Sequence, residues 1–189
     1  MELIKYGIST EPHMENVIEL KYKKEYSIEN LMGNNRLIVS PEKHHINMML
    51  KLLGNEKDCE YFILYVLIVS RCDNELGRYQ IANTLTWDEL KIFCNKYSNY
   101  LETDGRHNFW IINCDTNDLV VYDRHNVLYV YENLESKIKI LEKHGFKEAE
   151  NIIFKTPHCH VYNKENDSFE KEIIENYEWI FSTLMDGDE

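Results

Sequence analysis

The sequence lacks the short motifs that tie a chain to a known chemistry. It has no G-x-G-x-x-G, no G-x-x-x-x-G-K-[ST], no H-E-x-x-H and no G-x-S-x-G. The common phosphate-cradling loops, the zinc-protease helix and the hydrolase nucleophile elbow are therefore not encoded. Seven glycines and three prolines are too few for a linker or a low-complexity tract, and no fixed-period repeat is present. The expectation is a single domain over residues 1–189, a length at which one hydrophobic core suffices.

Cysteine is also sparse. Cys59, Cys72, Cys94, Cys114 and Cys159 form an odd set with no C-x-x-C pair, which suits reduced thiols better than a disulfide framework or a thiolate zinc site. The amino terminus, Met1-Glu2-Leu3-Ile4-Lys5, lacks the order of a secretion signal. The longest apolar run, Tyr61 to Val69, is about half of the roughly 20 residues a spanning helix needs. A cytoplasmic location without membrane contact is expected.

Basic residues are outnumbered, 21 against 33 acidic ones, for a net charge of −12. That balance opposes the counterion release that drives generic nucleic-acid binding. The excess is uneven, because nine acids against Lys164 and Lys171 follow Asn163. What the chain has in abundance is apolar and aromatic material, 43% and 12%, including thirteen tyrosines, enough to build a core.

Patterning predicts an α+β fold, an antiparallel or mixed sheet with a C-terminal meander, covered by helices. A short strand is expected at Leu3 to Tyr6 and a weakly periodic helix around Met14 to Glu29. Ser40 as cap and Pro41 at the first helical position predict a helix carrying Ile46, Met49, Leu50 and Leu53, ended by Gly54. Tyr61 to Val69 reads as a central strand covered on both faces, and Arg78 to Ala82 as another. Thr86-Trp87-Asp88-Glu89 is a capping box that opens a helix with Leu90, Phe93, Cys94, Tyr97 and Leu101 on one face. Asn108 to Asn113, Leu119 to Asp123 and Val127 to Tyr131 follow as strands joined by short turns, which requires antiparallel neighbours. A helix from Asn133 ends at Gly145 with Phe146 behind it. Ile152 to Tyr162 is extended around Pro157, and a last helix runs from Asp167 or Ser168 with Phe169, Ile173, Tyr177, Ile180 and Leu184 inward.

Three segments carry residues fit for chemistry. In His158-Cys159-His160 an extended backbone points residues i and i+2 the same way, about 7 Å apart, so that two imidazoles can share a metal. Two ligands do not make a site; His107, His125, Asp123, Glu165 and Asp167 are the candidates for more. The competing reading is an edge segment with ordinary histidine hydrogen bonds. Asp123-Arg124-His125-Asn126 has the types for charge stabilisation and proton transfer, and equally those of a tight turn. Asp104-Gly105-Arg106-His107, between a helix and a strand, presents Arg106 and His107 either to a polar site or along a sheet edge, with Gly105 as a helix terminator. His44 and His45, adjacent on a helix, cannot readily chelate and are expected in solvent. Cys159 points away from its histidine neighbours, which argues against a nucleophile–base pair.

The runs DGRHNFWI, VVYDRHNVLYVY, LEKHGF and PHCHVY resemble uncharacterised bacterial proteins that share DGRHxxWI, VYDRHN and PHxHxY segments. The resemblance covers Asp104 to Tyr162. It implies that the histidine-bearing segments belong to one module, and it implies no activity.

Two functions compete on these grounds. The first is a non-enzymatic acidic binding protein of the immunity or inhibitor type, needing no cofactor, that neutralises a basic protein partner through Glu172, Glu175 and Glu178 on the last helix. The second is a metal-dependent hydrolase or small-ligand enzyme built on His158, His160, His107, Asp123 and His125.

Overall fold

The computed structural model describes residues 3–9, 17–31, 33–54, 59–152 and 157–188. Strands β1 (Tyr6–Ser9), β2 (Val17–Glu19), β3 (Glu25–Leu31) and β4 (Asn34–Ser40) precede helix α1 (His45–Leu53). Strands β5 (Glu60–Leu67), β6 (Gly77–Ile81) and β7 (Leu85–Thr86) lead into helix α2 (Trp87–Thr103). The meander β8 (His107–Asn113), β9 (Leu119–Tyr122) and β10 (Leu128–Tyr131) follows, then α3 (Leu134–Lys143), β11 (Lys147–Glu148), β12 (Cys159–His160), a 3-10 turn at Lys164–Asn166, α4 (Asp167–Glu175) and β13 (Trp179–Ser182).

The fold is α+β. One ten-stranded sheet has the order β11-β3-β4-β10-β9-β8-β5-β6-β13, with β7 also on β5. Its pairs are antiparallel apart from β11 on β3. A small sheet, β12-β1-β2, stands apart from it. Among the described residues, no helix is long and apolar enough to cross a membrane.

One face of the large sheet builds the core. Leu37, Val39, Tyr61, Ile63, Tyr65, Phe109, Ile111, Val120, Tyr122, Leu128 and Val130 pack in one cluster with Ile46, Met49 and Leu52 of α1, Leu90, Phe93, Tyr97 and Leu101 of α2, Leu141 of α3 and Ile173 of α4. These helical positions recur at spacings of three and four, as an amphipathic helix requires. The alternate strand residues Phe62, Leu64, Trp110 and Tyr129 are only half-buried. The opposite face is thus incompletely covered, where the apolar run of β5 had suggested cover on both sides.

Local signals hold where they are strongest. Thr86 Oγ1 accepts from the Glu89 amide while the Thr86 amide donates to the Glu89 carboxylate at 2.8 Å, closing the capping box. Gly145 takes φ +84°, and the Phe146 amide donates to the Leu141 carbonyl, the left-handed stop expected of α3.

Four expectations about the placement of elements fail. Ser40 ends β4 and donates its hydroxyl to the carbonyls of Lys23 and Glu25; α1 starts only after a left-handed His44 at φ 59°. The predicted helix at 14–29 is strand: β3 pairs along its whole length with β4, and those cross-strand bonds override a weak helical period; residues 14–16 lie outside the described residues. The first strand is displaced to Tyr6–Ser9. The last helix stops at Glu175, because Trp179–Ser182 pairs with β6, which leaves Ile180 57% exposed where an inward position was expected.

Candidate metal centre

The turn between β9 and β10 is built by Asp123. Its Oδ1 accepts the amides of His125 at 2.9 Å and Val127 at 3.2 Å, and Asn126 takes φ 64° while accepting the Tyr122 hydroxyl at 2.8 Å. Those are turn duties. The second carboxylate oxygen does something else, holding His125 Nδ1 at 2.8 Å. A carboxylate there fixes the imidazole's orientation and favours the tautomer with the lone pair on Nε2.

Strand β12 pairs with β1, Tyr6 opposite His160 and Gly7 opposite Cys159. The alternation of side chains turns His158 and His160 one way and Cys159 the other. Cys159 is buried, its Sγ donates to the Gly7 carbonyl, and burial pushes its thiol up, so it is neither ligand nor nucleophile. His160 Nδ1 lies 3.2 Å from the Arg124 carbonyl; the carbonyl can only accept, so this nitrogen carries the proton and Nε2 the lone pair. Burial first, then the charges of Arg124, His125 and His158, push His160 down to about 3, and it stays neutral.

The hairpin turn and β12 thus converge. The ring centroids of His125, His158 and His160 are 4.9, 5.1 and 5.3 Å apart, and one nitrogen from each lies within 4.8 Å of the others. Metal–imidazole bonds of about 2.0–2.1 Å would require these nitrogens to approach by roughly an ångström. Tyr6 packs against all three rings, with centroids 5.4, 5.1 and 5.6 Å away. Among the described residues this is the only His, Cys, Asp and Glu grouping with that geometry.

Of the sequence candidates, the structure brings His158, His160, His125, Asp123 and Arg124 together and sends the others elsewhere. Arg106 is fully buried and structural. It makes a two-pronged pair with Asp104 (Nε–Oδ1 2.7 Å, Nη2–Oδ2 3.0 Å), pairs with Glu170, reaches Asp167 at 3.1 Å and donates to the Asn163 carbonyl at 2.8 Å. His107 is also corrected: it is fully buried between Tyr65 and Tyr100, and burial holds its pKa well below the ordinary value. His45 is buried against Tyr122 instead of standing in solvent. Asp167 serves Arg71 and Arg106, and Glu165 is exposed.

Gly105 is not a left-handed terminator but a point of close approach. A Cβ there would lie 2.8 Å from the Lys5 carbonyl oxygen and 2.9 Å from His160 Cβ. Gly105→Ala is expected to cost about 1–3 kcal/mol by overpacking against backbone, read as a lowered urea midpoint; an unchanged midpoint would mean the strands part freely there.

The acidic trio does not share a helix face. Glu172 pairs with Lys96, Glu175 ends α4, and Glu178 lies beyond the helix with its carbonyl bound to the Ala82 amide. The strand at Trp179–Ser182 broke the face that helical periodicity had drawn.

A cleft of about 400 Å³ adjoins His125 on the incompletely covered face, lined by Asp123, Arg124, Trp110, Tyr129 and Arg36 among others. Sequence reasoning missed Tyr6, Trp110, Tyr129 and Arg36; each reads locally as an ordinary strand residue, and only sheet register collects them. Comparison with protein-family models, curated proteins and solved structures finds no match to this chain.

Proposed function

We propose that this chain is a metal-dependent hydrolase in which His125, His158 and His160 hold a divalent transition-metal ion and the adjoining cleft takes the substrate. The observation that carries this reading is the meeting of three imidazoles from two separate segments, each with a ring nitrogen within 4.8 Å of the others. Outer partners support it: Asp123 orients His125, and the Arg124 carbonyl orients His160. Such partners are what raise ligand basicity and fix the tautomer in metal sites. Three protein ligands leave a coordination position for water, the catalytic pattern rather than the closed structural one. A metal in that position brings bound water to a pKa of about 7 and so supplies hydroxide near neutrality.

Capture of a basic partner by Glu172, Glu175 and Glu178 becomes the second choice, since its continuous acidic face is interrupted at the end of α4.

Elemental analysis after loading with zinc, cobalt or manganese should find about one equivalent per chain. His158→Ala and His160→Ala should abolish it, and Asp123→Asn should weaken affinity about 10- to 100-fold, as loss of an outer partner does. Sub-stoichiometric metal in the folded wild-type protein, with no thermal shift on loading, would remove the proposal.

A further inference from the structure

Two residues that line the cleft carry hydrogen-bond donors without acceptors. Arg124 Nε and Trp110 Nε1 are shielded from solvent and make no hydrogen bond in the structure, and both residues line the cleft. Neither group can accept, and buried donors left unmade are disfavoured, so an acceptor seated in the cleft within reach of either would be favoured.

Charge points the same way. Arg36 is taken by Glu29 at 2.5 Å and by the Tyr131 hydroxyl at 2.8 Å. Asp188 is paired with Arg78, and Asp123 is engaged by a hydrogen bond from His125. Among the described residues, Arg124 is the lining arginine with no carboxylate in an ion pair, whereas Arg36 has Glu29. Its place in the chain sets it beside the histidines: His125 follows it, and its own carbonyl holds His160. A guanidinium next to a metal is the arrangement that clamps an oxyanion, because its fork matches phosphate geometry while the ion neutralises developing charge. Beyond it the walls are aromatic, with Trp110 and with Tyr129 under the Arg36 guanidinium at 4.2 Å. The volume of about 400 Å³ suits a small organic group.

Resting on the metal-dependent reading above, we infer that the cleft holds the phosphoryl group of a small phosphate ester, with Arg124 and Trp110 as its donors and the aromatic wall against its alcohol portion. In hydrolysis the oxygen of the metal-held water bonds to phosphorus and the bond from phosphorus to the alcohol oxygen breaks. One water proton passes to the leaving alcohol and the other stays with the phosphate.

The test titrates inorganic phosphate, with acetate as comparison, calorimetrically into the full chain stripped of metal, and follows hydrolysis of para-nitrophenyl phosphate by the zinc-loaded chain. Arg124→Gln should weaken phosphate binding about tenfold or more, the worth of a charge-assisted hydrogen bond, and Arg124→Lys should recover part of it. Trp110→Phe should weaken it several-fold. Metal content should be unchanged in all three. His158→Ala should lose the metal and hydrolysis yet keep phosphate binding, so that the two readings fail separately: a wild type that binds phosphate but no metal sinks the hydrolase alone. Equal phosphate affinity in wild type and in folded Arg124→Lys and Trp110→Phe overturns the inference, as does acetate binding as tightly as phosphate.

Discussion

Arg106→Met should destabilise the protein by about 3–5 kcal/mol, the range for removing one partner from a buried ion cluster. Arg106 has no exposed side-chain surface, and neither have Asp104 and Glu170, which it bridges. Its attraction to Asp104 and Glu170 outweighs the burial that opposes its charge, and its pKa lies above the ordinary value. Methionine fills similar volume but leaves the Asp104 carboxylate in the interior without its cation. Glu170 loses less, since Ser70, Asn74 and the Arg71 amide still donate to it. The same side chain holds the Asn163 carbonyl, and Asp104 accepts the Asn163 amide at 2.9 Å. The clamp therefore anchors the chain between β12 and α4, three residues past His160. Urea unfolding should show the loss, with a milder one in Arg106→Lys, which keeps the charge but not the fork. Added salt should scarcely change it, because buried pairs are poorly screened. A loss below about 1 kcal/mol, the level of a surface pair, would contradict the assignment.

Relative to Lys5→Met, the wild-type protein should gain stability as pH rises from about 7 to 9.5. Lys5 is wholly buried, with Nζ 3.1 Å from the Leu101 carbonyl in the last turn of α2 and 3.7 Å from the Tyr122 ring centroid. Burial lowers its pKa from 10.5 to about 7, against the pull of Asp123, Asp104 and Glu102 and with a push from Arg124. Below pH 7 both folded and unfolded chains hold the proton, and folding bears the full cost of burying the ammonium. Between 7 and 10.5 the unfolded chain binds the proton and the folded chain does not, so stability climbs with pH. At about 1.4 kcal/mol per pKa unit, the climb to pH 9.5 amounts to roughly 2–3 kcal/mol. From about pH 8.5 the thiols of Cys72, Cys94, Cys114 and Cys159, and above pH 10 the buried Tyr65, Tyr100 and Tyr122, all pushed up by burial, act in the opposite sense in both proteins, because the unfolded chain ionises first. Urea unfolding of both proteins at pH 6.5, 8 and 9.5 measures the difference; parallel curves would show that Lys5 stays charged inside or reaches solvent.

How far the sequence carried depended on the range of the forces involved. Thr86 to Glu89, Gly145 and the short turns after β8 and β9 were legible because a cap or a short polar turn is settled within a few residues of chain. Ser40 and the stretch 14–29 misled because their backbone groups are claimed by strands far along the chain, and cross-strand pairing overrules local preference. At the carboxyl end, Trp179–Ser182 fits a helical period as well as a strand, and β6 decided. At the site, the spacing of His158 and His160 on one side of a strand was readable. The choice of His125 over His107 as third member was not, since both precede or follow similar polar turns.

By itself, then, the sequence determined the α+β class, the meander, the capping box of α2, the glycine stop of α3 and the shared side of His158 and His160, all consequences of backbone geometry within a few residues. Only the tertiary structure decided that β12 would lie on β1 beside the turn at Asp123, that Arg106 and His107 would be buried, and that Arg124 and Trp110 would face a common cleft. Those outcomes depend on sheet register, which is set by burying one face of ten strands at once and has no signature in any single segment.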